Sequence, residues 1–191
     1  MGRVTGHAGL TPLASAVLSL LCEGPKHPYD IYRTLLERHE DVIVKLRPGS
    51  LYHTVDRLAE AELLEVLGTE RDGARPERTT YRITEAGRAA LVGYVREGLA
   101  GIAEEYPRFP TALAHARNLE AGAVDAALRE RLDAVQKRLT ENEGMVAAAM
   151  AVTAEANLLD AHYLLAVWRG GGGWVAQTRG GLGDGGVAWA E

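Results

Sequence analysis

The chain has 191 residues, of which 47% are apolar and only 6% aromatic, so its core is predicted to be mainly aliphatic, as in helical proteins. Its net charge of −5 argues against nonspecific coating of nucleic acid, although a small basic contact area can still bind DNA. The sequence has neither an uncharged apolar run of membrane-spanning length nor a signal-like apolar segment near residue 1. We therefore expect a cytoplasmic protein without a membrane span, and a single cysteine is consistent with a reducing compartment.

Two helices are predicted in the first forty residues. The first has leucine and valine at helical spacing after Thr11, a suitable N-cap, and Pro12, a suitable first residue. Gly24-Pro25 ends this helix, and the second opens at His27-Pro28. We expect Cys22, at the end of the first apolar run, to pack in the core rather than to act as a redox sensor.

A third helix is predicted in the segment Pro48-Gly49-Ser50-Leu51-Tyr52-His53-Thr54-Val55-Asp56-Arg57-Leu58. Ser50 is the predicted N-cap because its hydroxyl can accept a free N–H of the first turn, and the helix is expected to reach about Ala61. The apolar residues share one face and are expected to be buried: Leu51, Val55 and Leu58. The opposite, polar face is typical of a helix that enters the major groove of DNA, and an ordinary amphipathic surface helix is the alternative.

A hairpin with a basic tip is predicted next. Two strand-like runs, from Leu63 to Leu67 and from Thr79 to Ile83, flank a stretch rich in Gly, Pro and Asp. Residues 71–82 hold four arginines against two acidic residues, and such a tip can follow phosphates or enter a minor groove. A solvated loop of mixed charge is the alternative. Thr84 is predicted to cap a fourth helix.

This order of elements predicts a winged helix-turn-helix domain, and the chain resembles the PadR-type transcriptional regulators over residues 10 to about 95. The resemblance is carried by Leu18-Ser19-Leu20-Leu21, Gly24-Pro25, His27-Pro28-Tyr29-Asp30-Ile31, the segment from Pro48 to Leu58, and Tyr81-Arg82-Ile83-Thr84-Glu85-Ala86-Gly87-Arg88. The family usually has glycine where this chain has Glu62. A residue there must adopt a left-handed turn to end the third helix, so either the turn is strained or the helix continues.

The fold expected is mainly α, with a winged helix-turn-helix domain over residues 8–100 that has a two-stranded wing. The predicted function is sequence-specific binding of double-stranded DNA by a transcriptional regulator, a repressor that acts as a homodimer on a palindromic operator. The residues predicted to contact base edges or nearby phosphates are Ser50, His53, Thr54 and Arg57. The residues predicted to contact the DNA backbone are Tyr52 and Lys45 or Arg47. From the wing, Arg75 and Arg78 are predicted to contact phosphate or the minor groove.

A helical dimerisation region is predicted over residues 101–179. A short helix is expected over 111–118, a long one from Ala123 to about Ala151, and a third from Glu155 to Trp168. The long helix has an a/d seam consisting of Leu128, Leu132, Val135, Leu139, Asn142 and Val146. We expect the seam to pair across a two-fold axis, because a palindrome requires two recognition helices about 34 Å apart. The resemblance also implies a dimer, since longer family members carry such a region. Packing within one chain is the alternative.

Glycine dominates the end of the chain, with nine glycines in residues 170–191. Four of them are consecutive, Gly170 to Gly173, and each costs a helix about 1 kcal/mol relative to alanine. The last helix should therefore end near Arg169 or persist only if partner contacts impose it. A flexible tail is expected over residues 180–191.

Other chemistry has little support in the sequence. The six histidines lack metal-ligand spacing, no phosphate-binding glycine loop opens a helix, and neither a cofactor nor an enzymatic activity is expected. The rival hypothesis is a ligand- or partner-sensing module with a vestigial DNA-binding face, since the resemblance suggests small aromatic or drug-like effectors in some members. Five aromatic residues could line an apolar pocket or simply pack in the core: Tyr106, Phe109, Tyr163, Trp168 and Trp174.

Overall fold

A computed structural model describes residues 9–70, 78–102, 106–187 and 189. The described residues form two compact units, one up to Ile102 and one from Tyr106 onward. The first unit contains helices α1 (Pro12–Leu21), α2 (Pro28–Glu37), α3 (Pro48–Glu60) and α4 (Glu85–Ala100), and strands β1 (Leu64–Glu70) and β2 (Arg78–Ile83). The second unit contains helices α5 (Arg108–Ala114), α6 (Ala121–Met150) and α7 (Leu159–Gly183). Short 3-10 turns span Glu40–Val42, Ala116–Asn118 and Glu155–Leu158.

Helix α1 forms the centre of the first unit. The hydroxyl oxygen of Thr11 accepts a hydrogen bond from the Ala14 N–H at 3.2 Å, which confirms the predicted N-cap. The residues at helical spacing are all buried: Leu13, Val17, Leu20 and Leu21. Cys22 lies at the C-cap, where its side chain is exposed, so the expectation that it packs in the core is wrong. The core face of the helix ends one residue before it.

Helix α2 begins as predicted, and the His27 imidazole caps it by accepting the Tyr29 N–H at 3.1 Å. Ile31 and Leu35 are fully buried one turn apart. Arg38, at the end of the helix, forms a two-pronged ion pair with Glu23. Hydrogen bonding from Arg38 lowers the pKa of the Glu23 carboxyl, so this pair ties the end of α2 to the turn after α1.

Helix α3 starts three residues earlier than its predicted N-cap implies. Arg47 is the N-cap, in an extended conformation and without a side-chain capping bond, and Pro48 is the first helical residue. Ser50 is therefore the third residue of the helix, and its assignment as N-cap is wrong. The reason is that proline has the backbone angle of a first helical residue and lacks an N–H that needs a partner.

The end of α3 shows how the chain accommodates Glu62 at a position where the family usually has glycine. The chain leaves the helix with Glu62 in the left-handed region at φ 58°. The Leu63 N–H donates to the Leu58 carbonyl at 2.9 Å, and the Glu62 N–H donates to the Ala59 carbonyl at 3.0 Å. These two bonds form a Schellman motif, which normally has glycine at this position. Of the two expected outcomes, the strained turn is the one observed.

The wing is a two-stranded antiparallel sheet with Leu64 opposite Ile83 and Val66 opposite Tyr81. A bulge interrupts the register between Val66 and Gly68. Backbone bonds of 3.0 and 3.1 Å between Lys26 and Tyr81 attach the turn before α2 to the second strand. Both strands extend into the predicted tip at residues 68–78, and residues 71–77 of that tip lie outside the described residues.

Thr84 connects the wing to α4. Its hydroxyl oxygen accepts the Gly87 N–H at 3.0 Å, which confirms the predicted cap, and the hydroxyl lies 2.9 Å from the carbonyl oxygen of Glu62. The Thr84 N–H also donates to the Leu63 carbonyl at 3.1 Å. One residue therefore joins the end of α3 to the start of α4.

The three helices of the second unit differ from prediction mainly at their ends. The short helix starts at Arg108 rather than Thr111, and the long helix starts two residues before the predicted Ala123. Helix α7 continues through Gly170–Gly173 and ends at Gly183, so it includes the first four residues of the predicted flexible tail. The helix persists where it packs: Leu165, Gly172 and Val175 are buried.

The predicted dimer seam of α6 packs inside the chain. Leu128 and Val146 are buried, and the other members are half-buried: Leu132, Val135, Leu139 and Asn142. A Cβ on Gly172 of α7 would lie 3.2 Å from Val135 Cγ1, so the two helices approach closely. The Asn142 amide donates to the Arg138 carbonyl of its own helix at 2.8 Å. Packing within one chain, the alternative named above, accounts for the contacts that the single chain shows at this seam, and pairing of the seam across a two-fold axis stays a prediction.

Candidate DNA-binding surface

Helix α3 has one buried and one exposed face. Its apolar side, Leu51, Val55 and Leu58, is at most 4% exposed. The exposed side contains Ser50, Tyr52, His53 and Arg57, four of the residues predicted to contact DNA. These side chains project from a short helix whose apolar side is fixed in the core, as direct readout in a major groove requires.

Thr54 is less available than predicted. It is half-buried, and its hydroxyl lies 2.8 Å from the Ser50 carbonyl oxygen one turn earlier, to which it donates. The donor is therefore used within the helix, and only acceptor capacity and a methyl group remain. Threonines in helices commonly donate to a carbonyl one turn earlier. Residue type alone does not distinguish such a threonine from one that contacts a base.

Lys45 and Arg47 are exposed in the segment that leads into α3. Together with Arg57 they give this side of the unit three cations, and none of them forms an ion pair with a residue that the structure describes. Cations without a protein partner can neutralise phosphates.

Arg82 differs from these three. It lies opposite Glu65 in the wing, and its guanidinium donates to that carboxylate at 2.7–2.8 Å. Arg78 is the first residue of β2, whereas Arg75 lies outside the described residues. Arg82 is therefore engaged within the wing, and the predicted DNA contacts of Arg75 and Arg78 stay predictions because neither side chain is among those that the structure describes.

Tyr81 belongs to β2 of the wing, and the carboxylate of Asp56 in α3 acts on its phenol. Burial, with a smaller effect of the Asp56 carboxylate, raises the pKa of the Tyr81 phenol above its ordinary value. The phenol is therefore neutral at physiological pH, and it adds no negative charge to the surface that the two elements form.

One candidate was missed by the sequence reasoning. Tyr29, at the start of α2, was given no role in the sequence analysis, and its side chain is 54% exposed. A phenol at the start of the first helix of a helix-turn-helix can reach a phosphate. The signal available in the sequence was the pair Ile31 and Leu35, whose spacing defines the buried face and places Tyr29 on the opposite side of the helix.

In the described ranges, His, Cys, Asp and Glu side chains nowhere form a group of three that could hold a metal ion. Among the described helices, we find none with the length and apolar character needed to cross a membrane.

The helix-turn-helix of α2 and α3, the two-stranded wing and the exposed polar face of α3 define a winged helix-turn-helix protein. Residues 17–92 match the model of the transcriptional regulator PadR-like family. The match covers 76 of the 191 residues, all of them in the first unit, which is therefore similar to this family of transcriptional regulators. No curated protein shows significant sequence similarity to the chain.

Solved structures share the fold over most of the chain. PadR of Bacillus subtilis in complex with operator DNA is 16% identical with a TM-score of 0.75, covering 90% of this chain and 99% of that one. The same protein in complex with p-coumaric acid is 15% identical with a TM-score of 0.70, covering 91% and 98%. The PadR-like regulator BC1756 of Bacillus cereus is 14% identical with a TM-score of 0.65, covering 90% and 98%. At these identities the similarity shows the fold alone.

Proposed function

We propose that this protein is a cytoplasmic repressor that binds a palindromic operator as a homodimer and is released by a small-molecule effector. Each subunit lays α3 in a major groove, with Ser50, His53 and Arg57 toward base edges. Lys45, Arg47 and Tyr52 contact the DNA backbone, and Arg78 contacts phosphate or the minor groove from the wing.

The observation that carries the proposal is the position of Arg57. Its side chain is exposed on α3, while Val55 and Leu58 on the other side are buried. Arginine without a carboxylate partner, on a helix whose orientation is fixed by its core contacts, suits bidentate hydrogen bonding to guanine. Arg38 and Arg82, in contrast, are each engaged by a glutamate.

Dimerisation is supported by an apolar stripe on α7. We call Leu159, Tyr163, Val167 and Trp174 the outer stripe; they recur at helical spacing and are 65%, 69%, 47% and 46% exposed. Gly172 and Val175, which pack within the unit, lie on the other side of the helix. A contiguous exposed apolar surface of this kind is typical of a contact between proteins. We place the dimer contact here rather than on the seam of α6.

The solved structures support the choice of ligands. Bacillus subtilis PadR has been crystallised with operator DNA and with p-coumaric acid, so this fold accommodates both in that protein. For this chain, the same two partner classes, double-stranded DNA and a small aromatic effector, are part of the proposal.

The test is a fluorescence-polarisation titration of the protein with the DNA upstream of its own gene, at two salt concentrations. Arg57→Ala should weaken specific binding by about 1–3 kcal/mol and change the preferred sequence. The matched control is Arg82→Ala, since Arg82 is engaged by Glu65 and should have little effect. Arg78→Ala should weaken all sequences alike and flatten the salt dependence. Absence of salt-dependent binding by the wild type would overturn the proposal and favour a sensing module without DNA binding.

A further inference from the structure

A cavity of about 270 Å³ lies in the second unit, between α5 and the first half of α6. Its walls are largely apolar and include Phe109, Leu113, Leu119, Val124 and Leu128. Val124 and Leu128 are buried in the core of this unit, so the floor of the cavity is fixed. Small-molecule sites have volumes of roughly 300–1,000 Å³, which limits a ligand here to about one ring with a short chain.

Only two of the lining residues have charged or strongly polar side chains, Arg131 and His115. The guanidinium carbon of Arg131 lies 3.5 Å from the centroid of the Phe109 ring, so the cation stacks on the wall of the cavity. Stacking on a ring engages the face of a guanidinium and leaves its N–H groups free at the edge. None of the described carboxylates forms an ion pair with Arg131. Arg131 therefore presents N–H donors without an ion-pair partner, in an orientation fixed by stacking, at the edge of an apolar cavity.

The surroundings exclude a cationic ligand. No acidic residue lines the cavity within the described part of the chain. Asp125, next to the lining residue Val124, is engaged by Arg129 at 2.9 Å and by Arg179 at 2.8 Å. The arginines around this carboxylate lower its pKa, so it remains ionised and paired with them. The unpaired charge at the cavity is therefore positive.

We infer that this cavity binds a small organic carboxylate, whose apolar body fills the space above Leu128 while its carboxylate pairs with Arg131. A bidentate pair with an arginine is both stronger and more directional than a neutral hydrogen bond. The inference gives a site and a ligand class to the effector of the proposed function. It rests on that proposal for its regulatory meaning, whereas ligand binding itself is independent of DNA.

Two of the three tryptophans report on this cavity. The Trp174 ring packs edge-on against Phe109, with centroids 6.3 Å apart and an interplanar angle of 81°. The Trp189 indole N–H donates to the Leu119 carbonyl at 3.0 Å. A ligand that touches Phe109 or Leu119 should therefore change tryptophan fluorescence. Trp174→Phe should remove much of that change, while Trp168→Phe should retain it.

The experiment is a fluorescence titration of the full chain, without DNA, with phenylpropionate and its neutral isostere phenylpropanamide. We expect a saturable change with the acid and at least about tenfold weaker binding of the amide. Arg131→Gln should weaken binding of the acid by a similar factor and leave binding of the amide almost unchanged. Octanoate in place of phenylpropionate tests whether the apolar body must be aromatic.

The matched control is Arg138→Gln. Arg138 lies two turns further along the same face of α6 and 5.9 Å from the Trp168 ring, but it does not line the cavity. A second variant, Ala127→Leu, adds volume at the cavity wall on a helix that accommodates leucine, and it should abolish binding of acid and amide with unchanged circular dichroism. No saturable response of the wild type at millimolar acid, or equal effects of Arg131→Gln and Arg138→Gln, would overturn the inference. Binding of the acid with no operator binding would instead contradict the proposed function alone.

Discussion

Gly87 of α4 lies directly against the carbonyl oxygen of Leu63, the residue that follows the left-handed turn at the end of α3. A Cβ on residue 87 would overlap that oxygen and would also lie 2.8 Å from Ile83 Cγ1. The Thr84 N–H donates to the same Leu63 carbonyl at 3.1 Å. The start of α4 and the end of α3 are thus fixed to each other through one peptide group.

Gly87→Ala should therefore destabilise the protein, although alanine favours helix formation. The added methyl must displace backbone, and overpacking of this kind costs about 2 kcal/mol. Gly98→Ala on the same helix meets nothing within 4 Å and should stabilise by about 0.5 kcal/mol. Urea denaturation followed by circular dichroism measures both. If the two variants change the midpoint in the same direction, the close contact at Gly87 is not present in solution.

Glu62→Gly should stabilise the protein. Glu62 has φ 58°, a region that a residue with a Cβ occupies at a cost of roughly 1–2 kcal/mol and glycine occupies freely. Because glycine also loses more entropy on folding, we expect a gain of about 1 kcal/mol. Glu60 lies two residues earlier and is still helical, so Glu60→Gly should lower the free energy of unfolding by about the same amount. A lower melting temperature for Glu62→Gly would show that the glutamate side chain makes a contribution that the turn geometry does not reveal.

Local patterns in the sequence predicted much of the first unit. The spacing of Leu51, Val55 and Leu58 identified the buried face of α3, and Thr11 and Thr84 were found as caps from residue type and position. The start of α3 was misplaced because two helix-start signals lie close together. Pro48 and Ser50 are each suitable, and nothing local decides between them.

Long-range contacts explain what the sequence could not predict. An apolar seam on α6 indicates that one face is covered, but it does not say which helix covers it, and the covering element proved to be α7 of the same chain. The glycines at 170–173 disfavour a helix locally, yet Gly172 allows close packing on Val135. Which arginine is free also depends on register, since only strand pairing places Arg82 opposite Glu65.

Asp125→Asn tests the ion pair that links α6 to α7. The hydrogen bond from Arg179, more than the opposing effect of burial, lowers the pKa of Asp125 in the folded state. Its ionisation therefore contributes stability above the unfolded pKa of about 3.9, and this contribution is lost as pH falls through the lower folded value. At neutral pH the variant should melt below the wild type, and the difference should shrink below about pH 4.

The control for this prediction is Asp133→Asn. Asp133 is exposed on the same helix and has no ion-pair partner among the described residues. The melting temperature of the Asp133→Asn variant should therefore equal that of the wild type at each pH. If the difference in melting temperature between Asp125→Asn and the wild type stayed constant from neutral to acid pH, its cause would be the packing of the amide and not the loss of the charge.

Val167→Glu tests the outer stripe of α7 as the proposed dimer contact. Val167 is 47% exposed in the single chain, so a glutamate there should leave the fold intact but place an unpaired charge in the contact. Sedimentation equilibrium should then show a monomer where the wild type is a dimer, and operator binding should weaken because two linked recognition helices become independent. Val152→Glu, at an 87% exposed position after α6, is the matched control and should remain dimeric. Leu139→Glu, in contrast, places a charge on the seam that packs within the chain, so it should lower the melting temperature. Dissociation by Leu139→Glu with an unchanged melting temperature, together with a dimeric Val167→Glu, would return the contact to the seam of α6.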